Sequence, residues 1–474
     1  MKTYKLSSFF LAILLLWSTS CDDFGDLNVD PNEPSQAPPA LLLTGAQTSV
    51  ATVIGATLPT LYVQHLSETQ YTTSSRYSEV NFDFNTWYTG PLANLDEIIR
   101  LNTDEATRSA AAASGSNNNQ IAVARILKAY FYHFMTDRWG ALPLSQALQG
   151  KDNFNPTYDM QDNIYSALFQ ELREATAQID GGPGVSGDII FDGNMDRWRA
   201  FANTIRMTMA IRISGVSPTL AQSEFESAVA DGVITSDVMY QFLQNADNQN
   251  PWFGRFITRT DYAVSETMID YLLNVSDPRI EAFAEPALAT GTFVGMPYGI
   301  ISAGDIENSS VSFITDNQIN TQDAPLPIFT TAQVEFYLAE AAMNGWNIPG
   351  TAQEHYEVGI QASMQQWGVF DDAAFAAYIA QPDVAWSDAN AMELIGEQKW
   401  VALYMQGYEA WAEWRRTGFP VLAPAPDALN NSGEIPRRHG YPTSESTLNK
   451  ANYDAAVAMQ GEDGVDTRLW WDMN

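Results

Sequence analysis

The chain has one cysteine, Cys21, in 474 residues. A lone thiol excludes an intrachain disulfide, so burial of apolar surface must hold the fold together. Histidine is nearly as scarce. His65, His133, His355 and His439 lie scattered, without HExxH or paired-ligand spacing, and give no basis for a metal centre. Basic residues are few as well: 24 Lys and Arg stand against 57 Asp and Glu, a formal net charge of −33. Such a surface repels phosphate backbones, which excludes nucleic acid as a partner, and it offers no basic patch to anionic lipid. Catalytic signatures are missing too. Gly181 to Gly187 lacks a following Lys-Ser/Thr and reads as a turn, and Gly299 to Gly304 (GIISAG) misses the nucleophile-elbow spacing by one residue. Some pair of carboxylates will lie at glycosidase distance by chance, but no spacing singles out a raised-pKa acid. The chain reads as a non-enzyme without a cofactor.

Only one long apolar run stands out, at the N-terminus. Lys2 and Lys5 precede Phe9 to Trp17 (FFLAILLLW), and Ser18-Thr19-Ser20 lead into Cys21. Nine residues rise about 14 Å as a helix, less than half of a hydrocarbon core of roughly 30 Å. The run is therefore an export signal over residues 1–20, not a membrane span. A cysteine at the cleavage point is what bacterial lipoprotein processing requires: its thiol takes a diacylglycerol and its freed amine a third chain. Each buried methylene adds about 0.8 kcal/mol, so several chains together hold a protein on a membrane. The other reading is an ordinary secretory signal that happens to end near a cysteine. Residues 21–39, acidic and proline-rich, read as a lipidated tether with little to bury.

Residues 40–474 read as a single, mainly α-helical body. Hydrophobic content of 45% suits a well-packed globular protein. Five apolar stripes recur at helical spacing. They run through Val123, Leu127 and Phe134; Ile164, Leu168, Leu172 and Ile179; Trp198, Ile205, Met209 and Ile213; Val334, Leu338 and Ala341; and Leu394, Val401, Met405, Tyr408 and Ala412. The last is expected to be one long helix with Trp400, Trp411 and Trp414 in a buried seam. Glu409 with Arg415 or Arg416 reads as a local ion-pair network. Ala129-Tyr130 before Trp139-Gly140, and Leu338-Ala339-Glu340-Ala341 before Gly345, suggest tetratricopeptide-like helical pairs, although no clean 34-residue period exists. The stretch from about 241 to 330 is broken, aromatic and rich in Asn, Asp and Gly. It reads as a loop-rich insertion, where binding residues gather.

Thirteen tryptophans and twenty tyrosines exceed what such a core needs. Sugar rings pack their C–H patches on flat aromatic faces while amides and Arg satisfy the hydroxyls, and peptides use similar surfaces. Two clusters fit. Phe82, Phe84, Trp87 and Tyr88 with Asn85 and Asn94 either face a ligand or pack the helix beginning near Pro91. Trp252 and Phe253 with Arg255 and Tyr262 lie in the insertion. Tyr298 is a third candidate.

Six segments, in order, resemble the SusD/RagB group of outer-membrane nutrient-binding lipoproteins from Bacteroidetes. They begin at Cys21-Asp22-Asp23-Phe24 with Leu27 to Asn32, and continue through Asp196 to Asn203 with Arg212-Ile213-Ser214, Asp277-Pro278-Arg279, and Pro327 to Thr330 leading into Glu335 to Ala341. Glu397 to Trp400 running to Gly418, and Ile435 to Pro442 with Glu445 and Asn452-Tyr453, complete them. The resemblance implies helical pairs on one side and an irregular ligand-binding side opposite. It also implies a SusC-like TonB-dependent transporter as partner, over which the lipoprotein sits as a lid. Asp22 and Asp23 are similar to the surface-export signal of these bacteria, which implies an anchor in the outer membrane facing the exterior. The ligand so implied is an oligosaccharide or an oligopeptide. A surface glycoside hydrolase and a non-binding scaffold of the transporter remain the alternatives.

Overall fold

The apolar stripes become helices, and consecutive helices pack against one another. The computed structural model describes residues 37–316 and 318–474. The expected signal, Cys21 and the expected tether up to residue 36 lie outside them. Among the described residues eleven helices reach ten residues: α1 (Pro39–Thr48), α2 (Ala93–Thr103), α3 (Asn117–Trp139), α4 (Gln161–Gln178), α5 (Met195–Arg212), α6 (Pro218–Asp231), α7 (Thr331–Met343), α8 (Ala352–Gln366), α9 (Ala391–Ala402), α10 (Gly407–Thr417) and α11 (Lys450–Gln460). Helix α3 packs on α4, α5 on α6, α7 on α8 and α9 on α10, while α4–α5, α5–α7 and α7–α9 contacts join one pair to the next. This is the tetratricopeptide-like arrangement of helical pairs.

Local chemistry sets where these helices start and stop. Asn194 caps α5 by accepting the Arg197 N–H at 3.1 Å, and Thr351 with Glu354 forms a reciprocal capping box on α8. Helix α3 is the spine of the fold: from Asn119 to Trp139 only Arg125 and Lys128 escape full burial. A helix apolar on most of its circumference belongs inside a core.

Two expectations change. The fifth stripe is not one helix but α9 and α10, broken at Leu403–Gln406, where Met405 takes a left-handed φ of 68°. The break turns Gly407 towards the short helix Leu58–Tyr62, so closely that a Cβ there would lie 2.6 Å from the Thr60 nitrogen. A second apolar segment, Pro39–Tyr62, does have the length and hydropathy of a membrane span. Here it is divided into three helices (α1, Val50–Ile54 and Leu58–Tyr62) that bury Leu43, Val50, Val53, Leu61 and Tyr62 in the core.

Charge is organised inside the helical array. Arg212 on α5 reaches Glu413 at 2.7 Å, Glu409 at 2.6 Å and Asp137 at 3.3 Å. Lys399 meets Glu413 at 2.5 Å, and Arg416 meets Glu340 at 2.5 Å. The network is therefore not local to α10: it ties α3, α5, α7, α9 and α10 together. Arg415 takes no carboxylate and donates instead to the carbonyls of Arg437 and Asp137, with its guanidinium 3.6 Å from the Trp411 ring centroid.

Among the described residues four short strands mark the irregular part. Strand β2 (Val238–Tyr240) pairs antiparallel with β4 (Leu326–Phe329), so the chain between them leaves and rejoins the body at one place. Strand β1 (Leu66–Glu68) pairs antiparallel with β3 (Tyr262–Val264) and ties this excursion to the N-terminal third.

Candidate functional site

The segment before Trp87 is held by its backbone. The Phe82 N–H donates to the Gly440 carbonyl at 3.0 Å, and the Phe82 ring stacks on His439 with centroids 3.8 Å apart. Asp83 Oδ1 then accepts from the Asn85 N–H at 2.9 Å and from its side-chain amide at 3.0 Å. This Asx turn starts the short helix Asn85–Trp87. Trp87 points inward, edge-on to Phe134 at 4.9 Å, and only 8% of it stays exposed.

The insertion brings up the opposite side. Asn250 accepts the Trp252 N–H at 2.7 Å and donates to the Ala324 carbonyl at 2.7 Å, which fixes the start of the helix Pro251–Phe256. Gly55 lets that helix approach: a Cβ at this position would lie 2.3 Å from Pro251 Cγ. Arg255 donates to the Gly55 carbonyl at 2.8 Å and sits over the Trp252 ring at 4.8 Å.

Segments some 165 positions apart thus meet in one cleft of about 570 Å³. Phe82, Asp83, Thr86 and Trp87 line it from one segment and Gln249, Pro251 and Arg255 from another, with Glu79, Arg138, Tyr408 and the stretch from Ala51 to Leu58 also contributing. Arg138 projects from the end of α3 into an aromatic box, 4.1 Å from the Trp139 centroid and 4.5 Å from that of Tyr408. Its Nε and Nη2 lie 3.1 and 3.0 Å from His439 Nδ1. Burial, with Arg138, Arg415 and Arg438 nearby, pushes His439 well below the usual imidazole range, so it stays neutral and accepts from Arg138. Partial burial pushes the Glu79 carboxyl up, and Arg138 only partly opposes this. A smaller space of about 70 Å³ shares Arg138 and Tyr408 with this cleft.

The residues singled out from sequence do not all converge. Trp87 and Arg255 line this cleft. Asn85 and Tyr88 face a second one of about 600 Å³, where the Tyr88 hydroxyl donates to the Pro143 carbonyl at 2.6 Å. Phe253 is half-buried on the Pro251–Phe256 helix and lines neither cleft. Trp252 offers no ring face to a ligand: it is fully buried, with Tyr262 edge-on at 6.1 Å, because the capped helix turns it into the core. Tyr298 is likewise packed inside, beside Tyr77, and only 8% exposed. Loop composition had suggested surface aromatics, but these two fill the base of the insertion. Sequence reasoning missed Arg138, Gln249 and Tyr408. A cation among the aromatics that close the apolar stripe of α3 was the available signal for Arg138. Among the described residues no group of three His, Cys, Asp or Glu side chains could hold a metal ion.

Helical pairs carrying an irregular excursion, with a cleft where the two meet, define the class. The chain belongs to the SusD-like family described as starch-binding and associating with the outer membrane, whose profile matches residues 31–442. Among solved structures it is similar to a chitin-binding protein, at 29% identity with a TM-score of 0.81 over 92% of this chain and all of that one. A chitin-binding SusD homologue from Flavobacterium johnsoniae is 25% identical, with a TM-score of 0.79 over 92% of this chain and 99% of its own. A SusD homologue from Bacteroides uniformis is also 25% identical, with a TM-score of 0.76 over 91% and 99%. No curated protein matches the sequence.

Proposed function

We propose that this protein is a lipid-anchored receptor on the outer membrane that captures an oligosaccharide and passes it, chemically unchanged, to a SusC-like TonB-dependent transporter. Family membership supports the carbohydrate, and two relatives named for chitin binding support it further. The observation that carries the reading is the cleft itself: the edge of Trp87, the Arg255 and Arg138 guanidiniums and the Gln249 amide line one space of about 570 Å³, enough for a short oligosaccharide. Apolar ring surface for sugar C–H groups beside donors and acceptors for hydroxyls is what saccharide recognition needs. Capture without turnover calls for moderate affinity, since a ligand held too tightly would not be released for import. On this reading Cys21 carries the acyl chains, and the body stands at the exterior face over the barrel.

Thr86 gives the cleanest test, because it is exposed on the cleft wall and outside the core. Thr86→Trp fills the space, and affinity for the glycans retained in a panel by affinity electrophoresis should fall at least tenfold while Tm stays unchanged. Undiminished binding would remove this cleft from the function. Cys21→Ser should move the protein from membrane to soluble fractions of its host; continued pelleting with outer membranes would refute the acyl anchor.

A further inference from the structure

Among the described residues every buried arginine but one donates to an oxygen. Six arginines are buried among the described residues: Arg138, Arg206, Arg212, Arg279, Arg415 and Arg438. Arg206, Arg212, Arg279 and Arg438 form ion pairs with carboxylates. Arg415 has three backbone carbonyls instead. Arg138, 7% exposed, donates to no oxygen among the described residues; its one hydrogen-bonding partner is the neutral His439 ring.

That exception stands out in a chain with 57 acidic residues and only 24 basic ones. Burying a guanidinium without a counter-charge is costly unless something else supplies it. The aromatic box attracts the cation but supplies no anionic oxygen to it. Glu79, at the exposed rim, acts on Arg138 across the cleft without coming within ion-pair distance. Arg255 repeats the pattern from the other segment: no carboxylate pairs with it, and its Nη1 has no partner. Neither cation of the cleft thus forms an ion pair with a carboxylate, and Asp83 already accepts from Asn85.

We propose that the cleft is built for a saccharide bearing a carboxylate, a uronic acid unit, which Arg138 binds as the missing counter-ion. A planar guanidinium with an open edge matches a carboxylate through paired N–H···O bonds, while a neutral sugar leaves the charge unanswered. This rests on the saccharide reading above and specifies which saccharide class the site prefers.

Isothermal titration of the full-length protein with short oligogalacturonides, and with the same oligomers after carboxyl reduction, tests it without any variant. The acidic oligomers should bind at least tenfold more tightly, and that ratio should shrink as salt is raised. Arg138→Gln, checked for folding by circular dichroism, should bring the two affinities together. Equal binding of both forms by the unaltered protein would overturn the uronate assignment and leave the saccharide reading standing. Binding of neither form, in a protein that also retains no glycan from the panel, would bring down both. A short peptide bound through its free carboxyl and lost on amidation, with no saccharide bound, would overturn the saccharide source of the carboxylate.

Discussion

Trp252 and Trp87 are alike in sequence context, each an aromatic among amides, and the structure separates them. Trp252 is wholly enclosed, whereas Trp87 keeps an edge in the cleft. Truncating an enclosed indole removes its transfer free energy and leaves a cavity, a cost of about 3–5 kcal/mol. Trp252→Ala should therefore lower stability by that amount in urea unfolding; a variant as stable as the parent would mean that the ring is not core. Arg255 loses its stacking surface in the same variant, so any loss of ligand binding would follow from the wall it holds. The sequence could show that aromatics, amides and an arginine were clustered here. Which ring faces outward depends on the rotation of a six-residue helix, and its cap partner Ala324 lies 74 positions away.

At the scale of elements, helix periodicity was legible wherever one face stays buried. The stripes of α3, α4, α5 and α7 correspond to helices, and their breaks fall at turns. The α9–α10 break was not legible, because Met405 and Tyr408 continue the stripe without interruption. What decides it is a third helix, Leu58–Tyr62, pressing on Gly407 from more than 340 positions away. A methyl group there would meet backbone, which cannot yield as a flexible side chain would. Gly407→Ala should cost about 1–3 kcal/mol, as overpacking does. Thermal melts showing no loss would mean that the two helices part easily.

Across the whole molecule, acid groups with opposite shifts set the pH response. Asp137 is buried, yet His133 and Arg212 hold its pKa down to about 2. Its contribution to stability is complete above the ordinary 3.8 and is lost as pH falls towards 2. Glu397 is the converse. Burial, with Glu393 and Asp383 nearby, raises it from 4.5 to about 7. A raised carboxyl favours the folded state below its unfolded pKa, and that advantage fades as pH rises from 4.5 through about 7. Tm should therefore peak in mild acid and decline towards pH 8, a trend reinforced by self-repulsion at a net charge of −33. Glu397→Gln should flatten the alkaline limb and leave the acid limb as it was. A variant whose melting profile parallels the parent across the whole range would refute this origin.

By itself the sequence determined what depends on composition and short-range periodicity: a mainly helical body in pairs, no intrachain disulfide, and a large negative charge. These follow from local propensity and from one buried face per helix, which neighbouring residues encode. Only the tertiary structure decided that Trp87 and Arg255 share a cleft while Asn85 and Tyr88 turn to another, and that Trp252 belongs to the core. It also decided that Arg138 is left without an oxygen partner. Such outcomes depend on which distant backbones come close, through Gly55, Gly407 and the β2–β4 pairing, and no short window of sequence contains both sides of those contacts.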